Sequence, residues 1–112
     1  LPRLAGRARA MGLAMLGDKL PAEQAAAWGL IWQCVDDAEL DATVAALAAR
    51  LAAMPVAALA RTRALLDESQ ALDFDGALRR EGQVQGELSQ AHDYKEGVAA
   101  FLGKRAPVFR DR

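Results

Sequence analysis

Few side chains in this sequence can make or break bonds. It holds one histidine, His92, and one cysteine, Cys34. His92 could serve as a general base near neutral pH, but no serine or cysteine accompanies it in a triad-like context. A histidine at the start of a helix is ordinarily structural or solvated. Cys34 lies in the apolar run Leu30–Val35, where a thiol packs as a small hydrophobe rather than attacking as a thiolate. One histidine and one cysteine cannot close a zinc shell, so no metal site is expected. Trp28 and Trp32 stand one helical turn apart around Gly29 and invite an aromatic pocket, although packing is the default for such rings. Gln85 and Ser89 fall one turn apart and either line a polar pocket or face water. Arg61, Arg63, Arg79 and Arg80 are interleaved with Asp67, Glu68, Asp73, Asp75 and Glu81, which predicts a salt-bridged surface and not an anion site. The glycines lack the spacing of a nucleotide loop, and Gly82-x-x-x-Gly86 permits only close helix approach.

The elements that must position these groups are helical. Alanine, leucine and charged residues dominate, with few β-branched residues, a composition that favours helix. A length of 112 residues suits one small domain. A first helix is expected over Arg3–Leu16, stopped by Gly17, and a short one over Ala22–Trp28, opened by Pro21 and ended by Gly29. Leu30–Val35 is the only β-like run and, lacking a partner, reads as an extended connector. Asp36 or Asp37 can cap the next helix, in which Leu40, Val44, Leu47, Leu51 and Met54 form an amphipathic stripe ended by Pro55. Another helix starts at Val56 and loses its pattern near Ser69. Asp73 can cap a fifth, with Phe74, Leu78, Val84 and Leu88 on its core side, which Gly82 and Gly86 weaken by about 1 kcal/mol each. In the last, Asp93 and Glu96 have capping-box spacing. Val98, Phe101 and Leu102 share a face, Lys104 and Arg105 suit the negative end of the dipole, and Pro107 forbids continuation. Five or six helices with short connections predict an antiparallel, all-α assembly.

Composition excludes several classes of function. A net charge of −1 with both signs interspersed argues against nucleic acid or a membrane surface as partner. No run reaches the ~18 to 20 apolar residues of a membrane span. The lone Cys34 points to a reducing, cytoplasmic compartment. Abundant alanine, and arginine in excess of lysine, fit a GC-rich bacterial genome. The chain starts at Leu1, and Leu1-Pro2-Arg3-Leu4 is unlike a signal peptide. It reads as a piece of something longer.

Two separated motifs carry a resemblance. The order D-x-x-E-G-x-x-A-F-x-x-K-R-x-P-x-F, Asp93 to Phe109, resembles the C-terminus of the crotonase family, the enoyl-CoA hydratases and isomerases. G-D-K-L-P-A-E-Q-A-A-A-W-G-L-I-W-Q-C-V, Gly17–Val35, is similar to that family's G-x-x-[ILY]-x-A-x-x-A-x-x-x-G-L-[VI] segment. The wording from Trp28 to Asp37 is most similar to the phenylacetate-degradation branch, the ring-epoxyphenylacetyl-CoA isomerases. The resemblance covers all of 1–112 but only the last part of the family's enzymes.

The resemblance implies the C-terminal helical region of a crotonase-type α/β fold, which covers the active site and builds an oligomer. It implies an acyl-CoA substrate, with CoA as part of the substrate and no separate cofactor. The family holds the thioester carbonyl in a backbone N–H oxyanion hole and moves protons with carboxylates. Those groups belong upstream of Leu1, so no catalytic residue is assigned and the isolated piece is expected to be inactive. Phe101 and Lys104 match family positions that approach CoA, an aromatic face for adenine and an ammonium one turn on for phosphate. The competing expectation makes Phe101 a core anchor and Lys104 a solvated helix-end cation. Gly103 departs from the acidic residue common there, which would loosen the helix end. Trimers or hexamers are implied for the intact enzyme, and a dimer or higher assembly is expected of the piece alone. The alternative is a stand-alone helical interaction module without catalytic function, told apart by whether the upstream coding region supplies the oxyanion-hole segment.

Overall fold

A computed structural model describes residues 1–111. Read by length as one domain, the chain divides into two compact units, Leu1–Thr43 and Val44–Arg112. Every regular element among the described residues is an α-helix.

In the first unit, the helix expected over Arg3–Leu16 is two helices, α1 (Pro2–Ala5) and α2 (Arg7–Leu16). Gly6 separates them at φ 79° and ψ 162°, a backbone region in which a Cβ would collide. The break raises the count among the described residues to seven helices, above the five or six expected. Ala5 and Ala10 are the buried side chains here. Gly17 ends α2 in the left-handed region, its N–H donating to the Leu13 carbonyl, the stop its position predicts. α3 (Ala22–Ala27) ends one residue earlier than expected, at Trp28 as cap, and Gly29 follows at φ 74°. Leu30–Val35 is the irregular connector anticipated, with no strand pairing.

α4 (Asp37–Ala52) runs across the boundary between the units. Its stripe reads as a core seam, yet Leu40, Val44, Leu47 and Leu51 are all exposed. The pattern is right for a buried face, and its leucines are left half open to solvent.

The second unit continues with α5 (Val56–Ser69), α6 (Phe74–Ser89) and α7 (His92–Leu102). The chain bends by 105° between α4 and α5, so the antiparallel arrangement expected begins only at α5. α5 and α6 are antiparallel, because their cross-links run in opposite directions along the two helices. Arg61 pairs with Glu87, and Arg80 Nε donates to Glu68 at 2.6 Å. These ion pairs hold the Glu68 carboxyl below its ordinary pKa and the Arg80 guanidinium above its own, in each case chiefly through their mutual hydrogen bond. Arg61 and Arg80 are therefore spent on surface pairing, Arg80 with one of the acids interleaved with it in sequence and Arg61 with Glu87 further on. Asp73 caps α6 by accepting the Gly76 N–H at 2.7 Å. A Cβ on Gly76 would stand 2.7 Å from that same carboxylate oxygen, so any larger residue there would make the Asp73 carboxylate shift. Val84 is the buried residue of α6, and α6 packs on α7. No single helix among the described residues is long and apolar enough to cross a membrane.

Candidate functional site

The last helix is built differently from its sequence pattern. Ala91, not Asp93, is the N-cap of α7, and Ala91 has no side-chain oxygen to offer. His92 and Asp93 are its first two residues. The capping box expected of Asp93 and Glu96 does not form, because both carboxylates turn to the chain beyond the helix. Asp93 accepts the N–H groups of Arg110 at 2.7 Å and Asp111 at 3.1 Å. Asp111 returns the bond, its Oδ2 accepting the Asp93 N–H at 2.9 Å. The helix start is thus capped from the tail. Glu96 accepts two bonds from Arg105, at 2.6 and 2.8 Å, and the Val108 N–H at 2.8 Å.

These bonds strap residues 105–111 back along α7. The strap selects which helix face is covered: Asp93, Glu96, Gly97 and Ala100 recur at helical spacing, and Ala100 is fully buried. A Cβ on Gly97 would meet the Phe109 ring at 3.8 Å, an ordinary van der Waals contact, so the ring lies over this position. The electrostatics agree with the geometry. Hydrogen bonding from Arg105 and then from the Val108 N–H drives the Glu96 pKa from 4.5 down to about 2. The Arg105 pKa is raised in return, chiefly by its hydrogen bond to Glu96. Burial by itself would push Asp93 up, but the Arg110 N–H, the His92 ring and the Asp111 N–H outweigh it and hold Asp93 low.

The covered face leaves the apolar face outward. Val98, Phe101 and Leu102 do share a side, but it faces away from the packing, with Phe101 83% and Leu102 75% exposed. Phe101 is therefore no core anchor of this chain. One turn on, Lys104 is exposed and has φ 49°, the only positive φ outside glycine among the described residues. Its N–H donates to the Phe101 carbonyl at 3.2 Å, and the Arg105 N–H to Ala100 at 3.0 Å. Together with the Gly103 bond to Ala99 at 2.9 Å, these close the helix in the two-bond pattern of a Schellman turn. Gly103 itself has φ −79° and ψ 0°, so this end is tied, not loosened as its sequence position suggests. The structure thus brings an exposed aromatic ring and an exposed ammonium-bearing side chain to one fixed helix end. An aromatic face and a cation in that arrangement suit a planar base next to a phosphate.

The other candidates separate. His92 Nδ1 lies 3.0 Å from Asp93 Oδ1. His92, Asp93 and Asp111 offer ligand atoms within 4.8 Å of one another. The carboxylate oxygens are already acceptors of strap and helix N–H groups, so the cluster reads as a lock on the tail. Gln85 lines a cavity of about 250 Å³ with Thr62, Leu88, Asp93 and Tyr94, whereas the Ser89 hydroxyl donates to the Gly86 carbonyl at 2.8 Å. Trp28 and Trp32 differ in role: Arg9 stacks 5.1 Å above Trp28, and Trp32 is 89% exposed. Cys34 is half-buried.

Sequence reasoning missed the strap. Its signal was present in two acids at i and i+3, followed by an arginine and a proline just past the helix, but the same spacing also spells a capping box.

Comparison with known proteins places these features in context. The sequence model of the enoyl-CoA hydratase/isomerase family matches residues 1–112. The chain is 48% identical to a 1,2-epoxyphenylacetyl-CoA isomerase of Escherichia coli K12, over 97% of its own length and 42% of that protein's. It is 33% identical to a crotonyl-CoA hydratase of Syntrophomonas wolfei, over 97% and 42% of the two lengths. The crystal structure of an enoyl-CoA hydratase from Bacillus anthracis superposes with a TM-score of 0.92 at 26% identity, covering 99% of this chain and 43% of that one. The chain spans less than half the length of these relatives, and its helices correspond to the helical part of their fold. It belongs to the enoyl-CoA hydratase/isomerase family.

Proposed function

We propose that this chain is the C-terminal, CoA-covering region of an acyl-CoA hydratase or isomerase, of the branch that rearranges ring-epoxyphenylacetyl-CoA. The observation that carries the reading is the exposed Phe101 ring beside Lys104 at a closed helix end. In this role Phe101 packs on the adenine and Lys104 pairs with a CoA phosphate, while the thioester is transformed by groups outside the chain. The 48% identity to a 1,2-epoxyphenylacetyl-CoA isomerase supports the branch. The exposed leucines of α4 and the Val98, Phe101 and Leu102 face are surfaces that the rest of the enzyme and its neighbouring subunits cover.

The handle of CoA is remote from the reacting carbonyl, so contacts to it stabilise ground state and transition state alike. Lys104→Ala in the protein that carries this chain is therefore expected to raise KM for the acyl-CoA about five- to twentyfold and to leave kcat within about twofold. Assays against ring-epoxyphenylacetyl-CoA, crotonyl-CoA and a 3-enoyl-CoA test the branch. Turnover confined to crotonyl-CoA would place the protein among the simple hydratases, and an unchanged KM in Lys104→Ala would remove the CoA role.

A further inference from the structure

The turn that presents Lys104 occurs twice in this chain. At the end of α3 the Gly29 N–H donates to Ala26 and the Leu30 N–H to Ala25, at 3.0 and 2.9 Å, with Gly29 at φ 74°. At the end of α7 the same pair of bonds runs from Lys104 and Arg105 to Phe101 and Ala100, with Lys104 at φ 49°. Glycine fills the left-handed position in the first turn because it has no Cβ to crowd the following carbonyl. Lysine fills it in the second, and a side chain held in that region persists only where its surroundings over-determine it.

The surroundings do so within a few residues. Arg105, the next residue, is held on Glu96 by two charge-assisted bonds of 2.6 and 2.8 Å. Glu96 also takes the Val108 N–H at 2.8 Å, with Pro107 stiffening the span between. Asp93 then fastens Arg110 and Asp111. Glu96 is 15% exposed at its side chain, the least of the carboxylates in the described arginine ion pairs, while Arg105 is half exposed.

We propose that Glu96, acting through Arg105, is a positioning residue for CoA: it holds the turn left-handed and so fixes the Lys104 ammonium beside Phe101. The inference rests on the reading that Phe101 and Lys104 meet CoA, and it assigns the strap a part in recognition beyond tying down the chain end. Glu96 touches no part of the ligand.

The test is a mutant cycle in the protein that carries this chain, with the dissociation constant for CoA measured by calorimetry and the thermal midpoint recorded alongside. Glu96→Gln and Lys104→Ala are each expected to weaken CoA binding about fivefold, and the double variant to bind no more weakly than Lys104→Ala. Arg105→Lys, which keeps the charge but not the bidentate fork, should fall between wild type and Arg105→Gln. Arg105→Gln replaces Glu96→Gln in the cycle if the latter does not fold, since it leaves the bond from the Val108 N–H to Glu96 intact. If Glu96→Gln leaves CoA affinity unchanged, or weakens it equally when Lys104 is already alanine, Glu96 only holds the fold and the proposal is overturned. If Lys104→Ala alone has no effect, the CoA reading itself fails and takes this one with it. Loss in Lys104→Ala without loss in Glu96→Gln sinks the positioning role and spares the CoA contact.

Discussion

At Lys104 a charged side chain occupies backbone space that glycine takes at Gly17 and Gly29. For L-residues the left-handed region is disfavoured by about 1 to 2 kcal/mol, so the choice of lysine is a local concession of stability. Two truncations measure it. Lys104→Gly and Lys104→Ala both delete the ammonium, but only glycine relieves the crowding. Chemical denaturation is expected to find Lys104→Gly about 1 kcal/mol more stable than Lys104→Ala, with CoA affinity equally reduced in both. Equal stabilities would mean that the turn relaxes without cost. Phe101 and Lys104 were legible as a pair in the sequence only through the family resemblance. Their exposure was not, because an apolar stripe on an amphipathic helix reads the same whether its partner lies within the chain or outside it. The left-handed conformation was illegible too, since nothing about lysine announces it.

At the scale of the element, α7 and its strap form one unit held by carboxylates. The Glu96 pKa falls from 4.5 to about 2 on folding, and Asp93 is lowered as well. A group whose folded pKa lies below its unfolded value binds fewer protons when folded. Its stabilisation is full above the unfolded value and is lost as pH falls through the folded one. The strap is therefore expected to hold above about pH 4.5 and to release progressively toward pH 2, and Glu96→Gln should flatten this window. Chemical-shift titration of the Phe109 ring and the Val108 amide follows the release. A titration that is the same in Glu96→Gln would place the dependence on other acids. Helix starts and stops elsewhere were readable because single residues decide them: Asp73 as cap, Gly17 as stop, Pro55 as breaker. Gly6 was misread because one glycine near the start of an alanine-rich run is tolerated in helices as often as it ends them. The cap of α7 failed for another reason. Its acceptor comes from Asp111, distant in sequence, where spacing rules limited to one helical turn do not look.

At the scale of the molecule, most large apolar side chains are uncovered. Phe74, Leu78, Leu66, Phe101, Leu102 and the α4 leucines are exposed together with Trp32. Large exposed apolar area of this kind marks surfaces that meet a partner. The chain by itself is expected to self-associate at micromolar concentration, and sedimentation velocity reads this directly. A single monomeric boundary would mean that the helices repack to bury these faces. Class and helix order were legible from composition and periodicity. The absence of a filled core was not, because amphipathic stripes promise a partner without saying which chain supplies it.

The strap also sets an order of events in synthesis. The amide of Asp93 waits for the carboxylate of Asp111, 18 residues later. A ribosome adding about 5 to 20 residues per second needs roughly 1 to 4 s to deliver it. Over that interval α7 lacks its cap, and the left-handed turn rests on the Arg105–Glu96 pair alone. The last-made residues of the strap thus complete the start of α7, the end away from Lys104. Messages truncated anywhere between Arg105 and Arg110 would yield chains that keep Phe101, Lys104 and the Arg105–Glu96 pair, yet leave the start of α7 without its cap.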